Sequence, residues 1–355
     1  METALILDRL SELTAQGRAA AVATVVQISG SAYRRPGAKL LIEESGTTHG
    51  GVSGGCLESD VRAQALEVMR GAPSRLLHYD TGGDEETLWG LGLGCEGAVD
   101  VYVQRIDAAF MAGPGKQMLE LARAGVPFAP ITLLAGPSEG RTLVLARGVL
   151  SGTSGSQETD LALARRAGPL LEGDAGAERM GDAFIDVLRP PPRLFIFGAG
   201  DDAMPLARLA AQSGFEVTVV DHRPAYLTAE RFPPPLHLAL RRPADGVGGL
   251  PLTISRRNFA VVQTHALAHD RDWLRALASQ PLAYIGLLGP RVRKEQVLRE
   301  VSSLDPGKLF APIGLDLGAD GPEQVAVSIV AEMLAVHARR EPSHLRVRQA
   351  GIHAS

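Results

Sequence analysis

Two cysteines are the residues of this sequence that could take part in the most kinds of chemistry. Cys56 ends the run THGGVSGGC and Cys95 ends WGLGLGC, so each thiol follows a segment rich in glycine. Glycine permits positive φ and a close approach of the backbone to a ligand. The thiolate is the form of cysteine that binds metals and attacks electrophiles. The pattern predicts that at least one of these cysteines is functional, and the alternative is that both are small buried apolar side chains.

The turn before Cys56 has features of an anion site. A helical pattern starts at Leu57, which places Cys56 near a helix N-terminus. Free N–H groups and the helix dipole favour negative charge there, including a thiolate. Gly54 and Gly55 let the backbone approach a ligand, and Ser53 offers a hydroxyl to the same turn.

A second basic turn lies upstream, in GSAYRRPGAKL. It contains Arg34 and Arg35 just before Pro36 and Gly37. Guanidinium groups bind phosphate and other anions through paired hydrogen bonds. The turn suits an acidic ligand, and the alternative is a charged turn that is simply solvated.

Zinc is a further alternative for the cysteines. His49 and His78 would complete a four-ligand set with Cys56 and Cys95. Their spacings match no compact ligand pattern, so the sequence gives this site little support.

A glycine fingerprint lies in the second half of the chain. LFIFGAGDDA places Gly198, Gly200 and Ala203 after an apolar run and at the start of a helical pattern. Asp221 ends the next apolar run, at about the offset of a ribose-binding acid in dinucleotide folds. We therefore predict a Rossmann-type fold here, with nucleotide binding as a separate question.

Two carboxylates complicate nucleotide binding. Asp201 and Asp202 follow Gly200 directly, where a pyrophosphate would meet the helix N-terminus. They would repel an anion and compete for its N–H donors, and either side chain could cap the helix. A scaffold used only for its shape is therefore an equal alternative.

The segment RPPPR at 189–193 is the clearest break in the chain. Successive prolines cannot continue a helix or lie in a central strand. We place an N-terminal domain at 1–188, a proline linker at 189–193, a C-terminal domain at 194–340 and a tail at 341–355.

The C-terminal domain alternates strand and helix patterns, which predicts a doubly wound parallel sheet. The N-terminal domain has a mixed pattern, which predicts an α+β fold of undetermined topology. Predicted strands lie at 20–27, 39–42, 98–105, 128–134, 142–147, 193–197, 216–220, 259–263 and 282–288. Predicted helices lie at 57–69, from about 115, and at 159–171, 203–213, 271–278, 292–301 and 322–338.

Composition narrows the class of protein. The 355 residues are 45% hydrophobic and 21% charged, which is ordinary for a globular protein, and the net charge is −4. A basic surplus that would neutralise a nucleic-acid backbone is therefore missing. The N-terminus lacks the pattern of a secretory signal, and no apolar stretch approaches the ~20 residues of a membrane span. We expect a cytoplasmic protein with reduced thiols.

Taken together, these segments resemble the XdhC/CoxI family, the accessory proteins of xanthine dehydrogenase and related molybdenum hydroxylases. The first half matches through ATVVQISGSAYRRPGAKLLI, GGVSGGCLESDV and GLGLGCEGAVDVYV. The second half matches through LFIFGAGDDAMPLARLAAQSGFEVTVVDHR, VVQTHALAHDRDWL and APIGLDLGADGPEQVAVSIVAEML. In many relatives a histidine stands where this chain has Asp201 and Asp202.

The resemblance implies a protein that binds molybdenum cofactor (molybdopterin), assists its sulfuration and inserts it into an apo molybdenum hydroxylase. It implies a cysteine desulfurase as the sulfur donor and no turnover of a substrate by this chain. On this resemblance a thiolate of Cys56 or Cys95 would bind the metal or carry the sulfur, and Arg34 and Arg35 would bind the phosphate. The resemblance also places Thr264, His265, Asp270 and the loop 289–291 along the Rossmann cleft.

Two other functions remain open. An NAD(P)-dependent oxidoreductase is favoured by Gly198, Gly200 and Asp221 and opposed by Asp201 and Asp202. An interaction scaffold without cofactor binding is the other. We also expect a homodimer.

Overall fold

The computed structural model describes residues 2–30, 34–80, 97–173, 176–250 and 257–348. These residues form two compact units, and the chain passes from the first to the second between Pro190 and Pro191. This boundary falls within a run of three prolines. Neither a helix nor an inner strand can continue through such a run, because proline lacks the N–H group and has a fixed φ.

The first unit begins with an antiparallel five-stranded sheet. Its elements are α1 (Glu2–Ala15), β1 (Ala20–Gly30), β2 (Lys39–Glu43), β3 (Thr48–Gly50), α2 (Glu58–Met69), β4 (Arg75–Asp80) and β5 (Gly97–Ile106). The strand order is β3-β2-β1-β5-β4. Ala21 and Ala23 of β1 pack in the core that α2 covers, whereas Ala20 and Val22 pack in the core that contains α1. A strand covered on both faces needs a nearly continuous apolar sequence, and AAVATVV provides one.

A second antiparallel sheet completes this unit. Its elements are α3 (Ala108–Ala112), α4 (Pro114–Arg123), β6 (Phe128–Leu133), β7 (Thr142–Ala146), β8 (Val149–Ser151), α5 (Gln157–Glu172), β9 (Ala177–Met180) and β10 (Ala183–Asp186). The strand order is β8-β7-β6-β10-β9, and Leu163 and Ala167 of α5 lie in its core. Two ion pairs join the sheets: Lys39 contacts Asp186, and Arg179 Nη1 lies 2.7 Å from Asp100 Oδ2.

The five longest apolar strands of this unit match their predicted positions, but β3, β4, β8, β9 and β10 were not predicted. β3, β4, β8 and β9 are edge strands with little apolar pattern of their own, whereas β10 (AFID) is an apolar inner strand of only four residues. In β4, for example, RLLHYD alternates between half-buried and exposed positions at the edge of the sheet. Such strands form because a neighbour pairs with them, and single-sequence periodicity does not record that pairing.

The second unit is a six-stranded parallel sheet with helices on both faces. Its elements are β11 (Arg193–Phe197), α6 (Ala203–Gln212), β12 (Glu216–Asp221), β13 (His237–Leu240), β14 (Asn258–Val262), α7 (Leu267–Leu277), β15 (Tyr284–Leu287), α8 (Arg291–Glu300), β16 (Leu309–Phe310) and α9 (Pro322–Ala338). The order β13-β12-β11-β14-β15-β16 is that of a Rossmann fold. One core contains residues of α6 and α9, and the other contains residues of α7 and α8. The predicted doubly wound parallel sheet is confirmed.

Helix α7 begins at Leu267, four residues before the predicted start at Arg271. Ala266 occupies its N-cap position and makes no side-chain cap bond. A helix without Ser, Thr, Asp or Asn at its N-cap carries no start signal in the sequence.

Candidate functional site

The glycine turn after β11 passes very close to the end of β14. Gly198 has a φ of +116°, and a Cβ built there would lie 2.5 Å from the carbonyl oxygen of Gln263. Only glycine combines such a φ with such a backbone contact. At Gly200 the nearest atom would be 3.8 Å away, in the ring of His265. Gly198 is therefore required for steric reasons, whereas a Cβ at Gly200 would not clash with the described residues.

Asp221 ends β12 beside this turn, at the position of a ribose-binding acid, and is only 4% exposed. Its Oδ2 accepts the N–H of Ala199 at 2.7 Å and Nη2 of Arg223 at 2.8 Å. Its Oδ1 accepts the amide of Arg223 at 2.9 Å and Nε at 3.0 Å. Burial raises the pKa of the Asp221 carboxyl, but the bonds from Arg223 and Ala199 outweigh it and leave the pKa at about 2. Asp221 therefore stays ionised, fixes the turn to β12 and has its charge balanced by Arg223.

Asp201 and Asp202 do not cap α6. Asp202 is at the N-cap position with helical φ and ψ and makes no cap bond. Asp201 Oδ1 accepts Nη2 of Arg231 at 2.9 Å, and Asp202 Oδ2 lies 3.2 Å from Nε2 of His265. The alternative that either side chain caps the helix is not realised, because each carboxylate faces a basic side chain. Arg231 offsets the negative charge of Asp201, and His265 offsets that of Asp202 only when protonated.

His265 and Asp270 lie on the loop that leads from β14 into α7, and they have different surroundings. His265 is exposed and has a φ of +59°, which is unusual for a residue with a side chain. Asp270 is fully buried and accepts the amide of Thr264 at 3.1 Å as well as its hydroxyl. Arg293 forms an ion pair with the other carboxylate oxygen at 2.5 Å. Asp270 therefore holds this loop to α8, whereas His265 faces the open side of the glycine turn.

Three further residues near Asp221 were not singled out from the sequence. His222 and Arg223 follow Asp221 directly, and His269 lies in the first turn of α7. The rings of His222 and His269 are 4.9 Å apart and nearly perpendicular. The adjacent letters DHR at the end of a predicted strand were the available signal for the first two.

The turn before Cys56 is organised by Glu58 and Ser53. Glu58 accepts the amides of Val52 at 3.2 Å and Ser53 at 2.9 Å, as well as the Ser53 hydroxyl. The Ser53 oxygen accepts the amides of Gly55 and Leu57, both at 3.1 Å. The predicted contribution of Ser53 and Gly55 to an anion site is therefore limited, because these groups already bond within the turn.

Cys56 is half-buried beside this turn. Its Sγ lies 3.4 Å from the Ser53 hydroxyl oxygen, and its side chain packs partly against the core under α2. The helix begins at Glu58, and Glu58 and Asp60 add two carboxylates to its first turn. Burial raises the pKa of Glu58, but its hydrogen bonds from Ser53 and neighbouring amides outweigh it and lower that pKa, so Glu58 is anionic. These charges offset the attraction of the helix dipole for an anion.

Arg34 reaches the same turn. A Cβ built on Gly51 would lie 3.2 Å from Arg34 Nη2, which places the guanidinium next to the backbone that leads to Cys56. Gly54 is exposed, and Arg35 is exposed as well. The structure therefore brings Arg34, Gly54 and Cys56 into one region and leaves Arg35 towards solvent.

The other predicted ligands are not brought together. His49 lies on β3 and pairs with Glu43 at 3.0 Å, whereas His78 lies on β4 and pairs with Asp100 at 2.6 Å. These strands form opposite edges of one sheet, about 19 Å apart at the spacing of four strands. A zinc site that uses both histidines is therefore excluded. Cys95 lies outside the described residues, and the described ranges contain no cluster of three or more His, Cys, Asp or Glu suited to a metal ion.

Comparison with known proteins places the chain in a family. Residues 13–80 match the family described as "XdhC and CoxI family", and residues 194–333 match "XdhC Rossmann domain". A probable xanthine dehydrogenase subunit of Bacillus subtilis is 34% identical over 90% of this chain and 94% of its own length. This chain belongs to the XdhC and CoxI family.

Two further relatives align over nearly the whole chain. The molybdenum cofactor insertion chaperone PaoD of Escherichia coli is 25% identical over 95% of this chain and 89% of its own length. The crystal structure of a xanthine dehydrogenase from Bacillus halodurans has a TM-score of 0.82 at 29% identity, over 96% of this chain and 97% of that one.

The two matched regions hold the two candidate sites of this XdhC and CoxI protein. The match over 13–80 contains Arg34 and Cys56, and the match over 194–333 contains the glycine turn, Asp221 and His265. Cys95 lies outside both regions. Within the described part of the chain, none of the helices has the length and apolar character needed to cross a bilayer.

Proposed function

We propose that this protein binds molybdenum cofactor and assists its sulfuration and insertion into xanthine dehydrogenase or a related molybdenum hydroxylase. The observation that carries the proposal is the similarity, over nearly the full length of both chains, to a relative named as a molybdenum cofactor insertion chaperone. The partners on this proposal are the apo-hydroxylase and a sulfur donor of the cysteine desulfurase type, in the cytoplasm. A homodimer remains a prediction as well.

The turn at Cys56 has donors of the kind that this cofactor requires. Arg34 supplies a guanidinium for a phosphate, and Cys56 supplies a thiol for a soft metal or for sulfur. The amides of Gly54 and Cys56 make no hydrogen bond to other described residues, so both are available to an anion. The described residues hold no cluster of three or more His, Cys, Asp or Glu suited to a metal ion, and Cys56 would offer a single thiolate to the cofactor here.

On this proposal the residues of the turn have separate tasks. Arg34 orients the phosphate end of the cofactor through charge-assisted hydrogen bonds. The half-buried thiol of Cys56 directly follows the exposed Gly54 and Gly55, where it can meet the metal or carry sulfur. Glu58 keeps the turn in shape and, as a carboxylate, repels anions that lack a compensating contact to Arg34.

An anaerobic titration of the full-length protein with molybdenum cofactor tests the proposal. Cys56→Ser and Cys95→Ser report on the thiols, and Arg34→Gln is compared with Arg35→Gln, its exposed neighbour. A lost charge-assisted contact costs about 1.5–3 kcal/mol, so we expect Arg34→Gln to weaken binding about 10- to 100-fold and Arg35→Gln to have little effect.

The thiol variants distinguish the remaining arrangements. If one variant loses binding, the replaced cysteine is a ligand of the cofactor. If both variants bind as the wild type does, the site lies at the arginine turn and the thiols serve only in packing. A folded wild-type protein without any binding would refute the carrier function. Binding to an apo-hydroxylase that survives both substitutions and needs no cofactor would then favour the scaffold alternative.

The oxidoreductase alternative is not favoured by the geometry at Asp221. A ribose would find its carboxylate almost fully buried and already bonded to Arg223 and Ala199. Hydride transfer also requires a substrate site next to the nicotinamide, and the acid–base groups described around Gly200 already have basic or acidic partners: Asp201 pairs with Arg231, and Asp202 pairs with His265.

A further inference from the structure

A cavity of about 180 Å³ opens at the carboxyl edge of the parallel sheet in the second unit. Its lining comes from the residue after β11, the end of β12 and the two residues after it, the loop after β14 and the first two turns of α7. The strand order reverses between β11 and β14, and ligands of doubly wound folds bind in the crevice at this point. The volume is below the ~300–1,000 Å³ of pockets that enclose a whole small molecule. It suits one ring system of a larger ligand.

Part of the cavity lining is apolar and rigid. Val220, Ala266 and Trp273 contribute to it. Trp273 is 2% exposed, and its ring centroid lies 4.6 Å from that of Phe197. A flat apolar ligand face would therefore meet side chains that are already fixed by the core.

The same lining contains three polar groups with flat faces. They are the imidazoles of His222 and His269, whose planes are nearly perpendicular, and the guanidinium of Arg223. Arg223 is held in place, because Asp221 binds its Nε and Nη2 and the ring of Tyr226 lies 3.9 Å below its guanidinium carbon. His269 has no hydrogen-bond partner among the residues that the structure describes. Both of its ring nitrogens are therefore available to the edge of a ligand.

We infer that this cavity binds the base of a purine nucleotide, whose ribose and phosphates continue over the turn at Gly198 and Gly200. Guanidinium planes and aromatic rings stack on bases, and polar side chains bind their edges, which matches the polar part of the lining. The apolar part of the lining, which includes Ala266, offers contact to the apolar surface of the ring.

A phosphate is a poor occupant of the same cavity. It would lie beside the ionised carboxylate of Asp221, which already uses two of the guanidinium nitrogens of Arg223. The phosphates fit better outside the cavity at the N-terminus of α6, where Arg231 compensates Asp201. The inference does not depend on the proposed cofactor function, because it uses other residues in the other unit.

Equilibrium dialysis of the full-length protein with ADP tests the inference. Ala266→Phe fills the cavity, and His269→Ala removes an edge contact without adding bulk. His237→Ala is the matched control, because His237 is an exposed histidine on β13 that does not line the cavity. Since stacking and edge contacts are worth about 1–3 kcal/mol per base, we expect binding about tenfold weaker or more in the first two variants and unchanged in the control.

Competition with inorganic pyrophosphate and with neopterin shows which part of the ligand the cavity recognises. Pyrophosphate that competes as well as ADP would overturn the base cavity, and neopterin that binds more tightly than ADP would replace the purine with a pterin. ADP binding that is absent from the folded wild type, or equal in His269→Ala and His237→Ala, would also overturn the inference. These results are independent of the titration with molybdenum cofactor, so failure of one proposal leaves the other testable.

Discussion

Replacing Gly198 with alanine should break the contact on which the glycine turn depends. The added Cβ would lie 2.5 Å from the carbonyl oxygen of Gln263, 2.8 Å from its carbonyl carbon and 3.0 Å from Cα of Thr264. All three atoms belong to the backbone at the end of a central strand, so no side chain can rotate to make room. The φ of +116° adds strain for any residue with a Cβ.

The expected loss of stability combines two terms. A residue forced into a rare backbone region costs of order 1–3 kcal/mol, and overpacking typically costs another 1–3 kcal/mol. The sum, about 2–6 kcal/mol, is a large part of the 5–15 kcal/mol that stabilises an ordinary domain. Gly200→Ala is the matched control in the same turn, because its Cβ would meet no atom closer than 3.8 Å.

Urea unfolding followed by tryptophan fluorescence measures the effect. The chain has two tryptophans, and a Trp89→Phe background leaves Trp273, in the core of the second unit, as the only reporter. With a slope of about 2 kcal/mol per molar urea, Gly198→Ala should lower the midpoint by about 1–3 M. If Gly198→Ala and Gly200→Ala unfold at the same midpoint, the close approach of this turn to β14 is wrong.

Two further predictions concern buried carboxylates. Hydrogen bonding to Arg9 lowers the pKa of Glu43 from 4.5 to about 2. Glu43 therefore stabilises the fold above about pH 4.5, and this contribution is lost as the pH falls towards 2. Glu43→Gln should flatten the acid side of the unfolding free energy measured against pH, and an unchanged slope would contradict the pairing. Asp270→Asn should cost about 3–5 kcal/mol in urea unfolding, because it leaves the charge of Arg293 without its buried partner. Asp272→Asn on the same helix should stay within about 0.5 kcal/mol, and equal losses in the two variants would refute the role of that pair.

The second unit was largely predictable from its sequence. Its inner strands are covered on both faces, so segments such as RLFIF and NFAVV stand out as apolar runs between helical patterns. The edge strands β13 and β16 were missed, because HLAL and LF are short and gain stability mainly from one neighbour. The same limit explains the four missed edge strands of the first unit, whereas the inner strand β10 was missed because its apolar run is only about four residues long.

The candidate sites were less predictable because they depend on which side chains already have partners. Ser53 and Gly55 have the residue types of an anion-binding turn, but Ser53 accepts the Gly55 amide and donates to Glu58. Asp201 and Asp202 have the types of helix caps, but Arg231 and His265 face them. Arg231 is 30 residues distant from Asp201 along the chain, and no local pattern indicates such a pairing.

The surroundings of Asp221 change what the glycine fingerprint implies for this protein. A fingerprint acid that binds ribose must have a carboxylate oxygen open to the ligand. Here Arg223 covers the carboxylate and is itself stacked on Tyr226, so the acid serves to position a guanidinium plane at the edge of the cavity. The inferred base site therefore relies on ring stacking rather than on contacts to the hydroxyls of a ribose. Arg223→Lys makes this distinction measurable: lysine keeps the charge beside Asp221 but removes the plane, so ADP binding should weaken while the fold is retained.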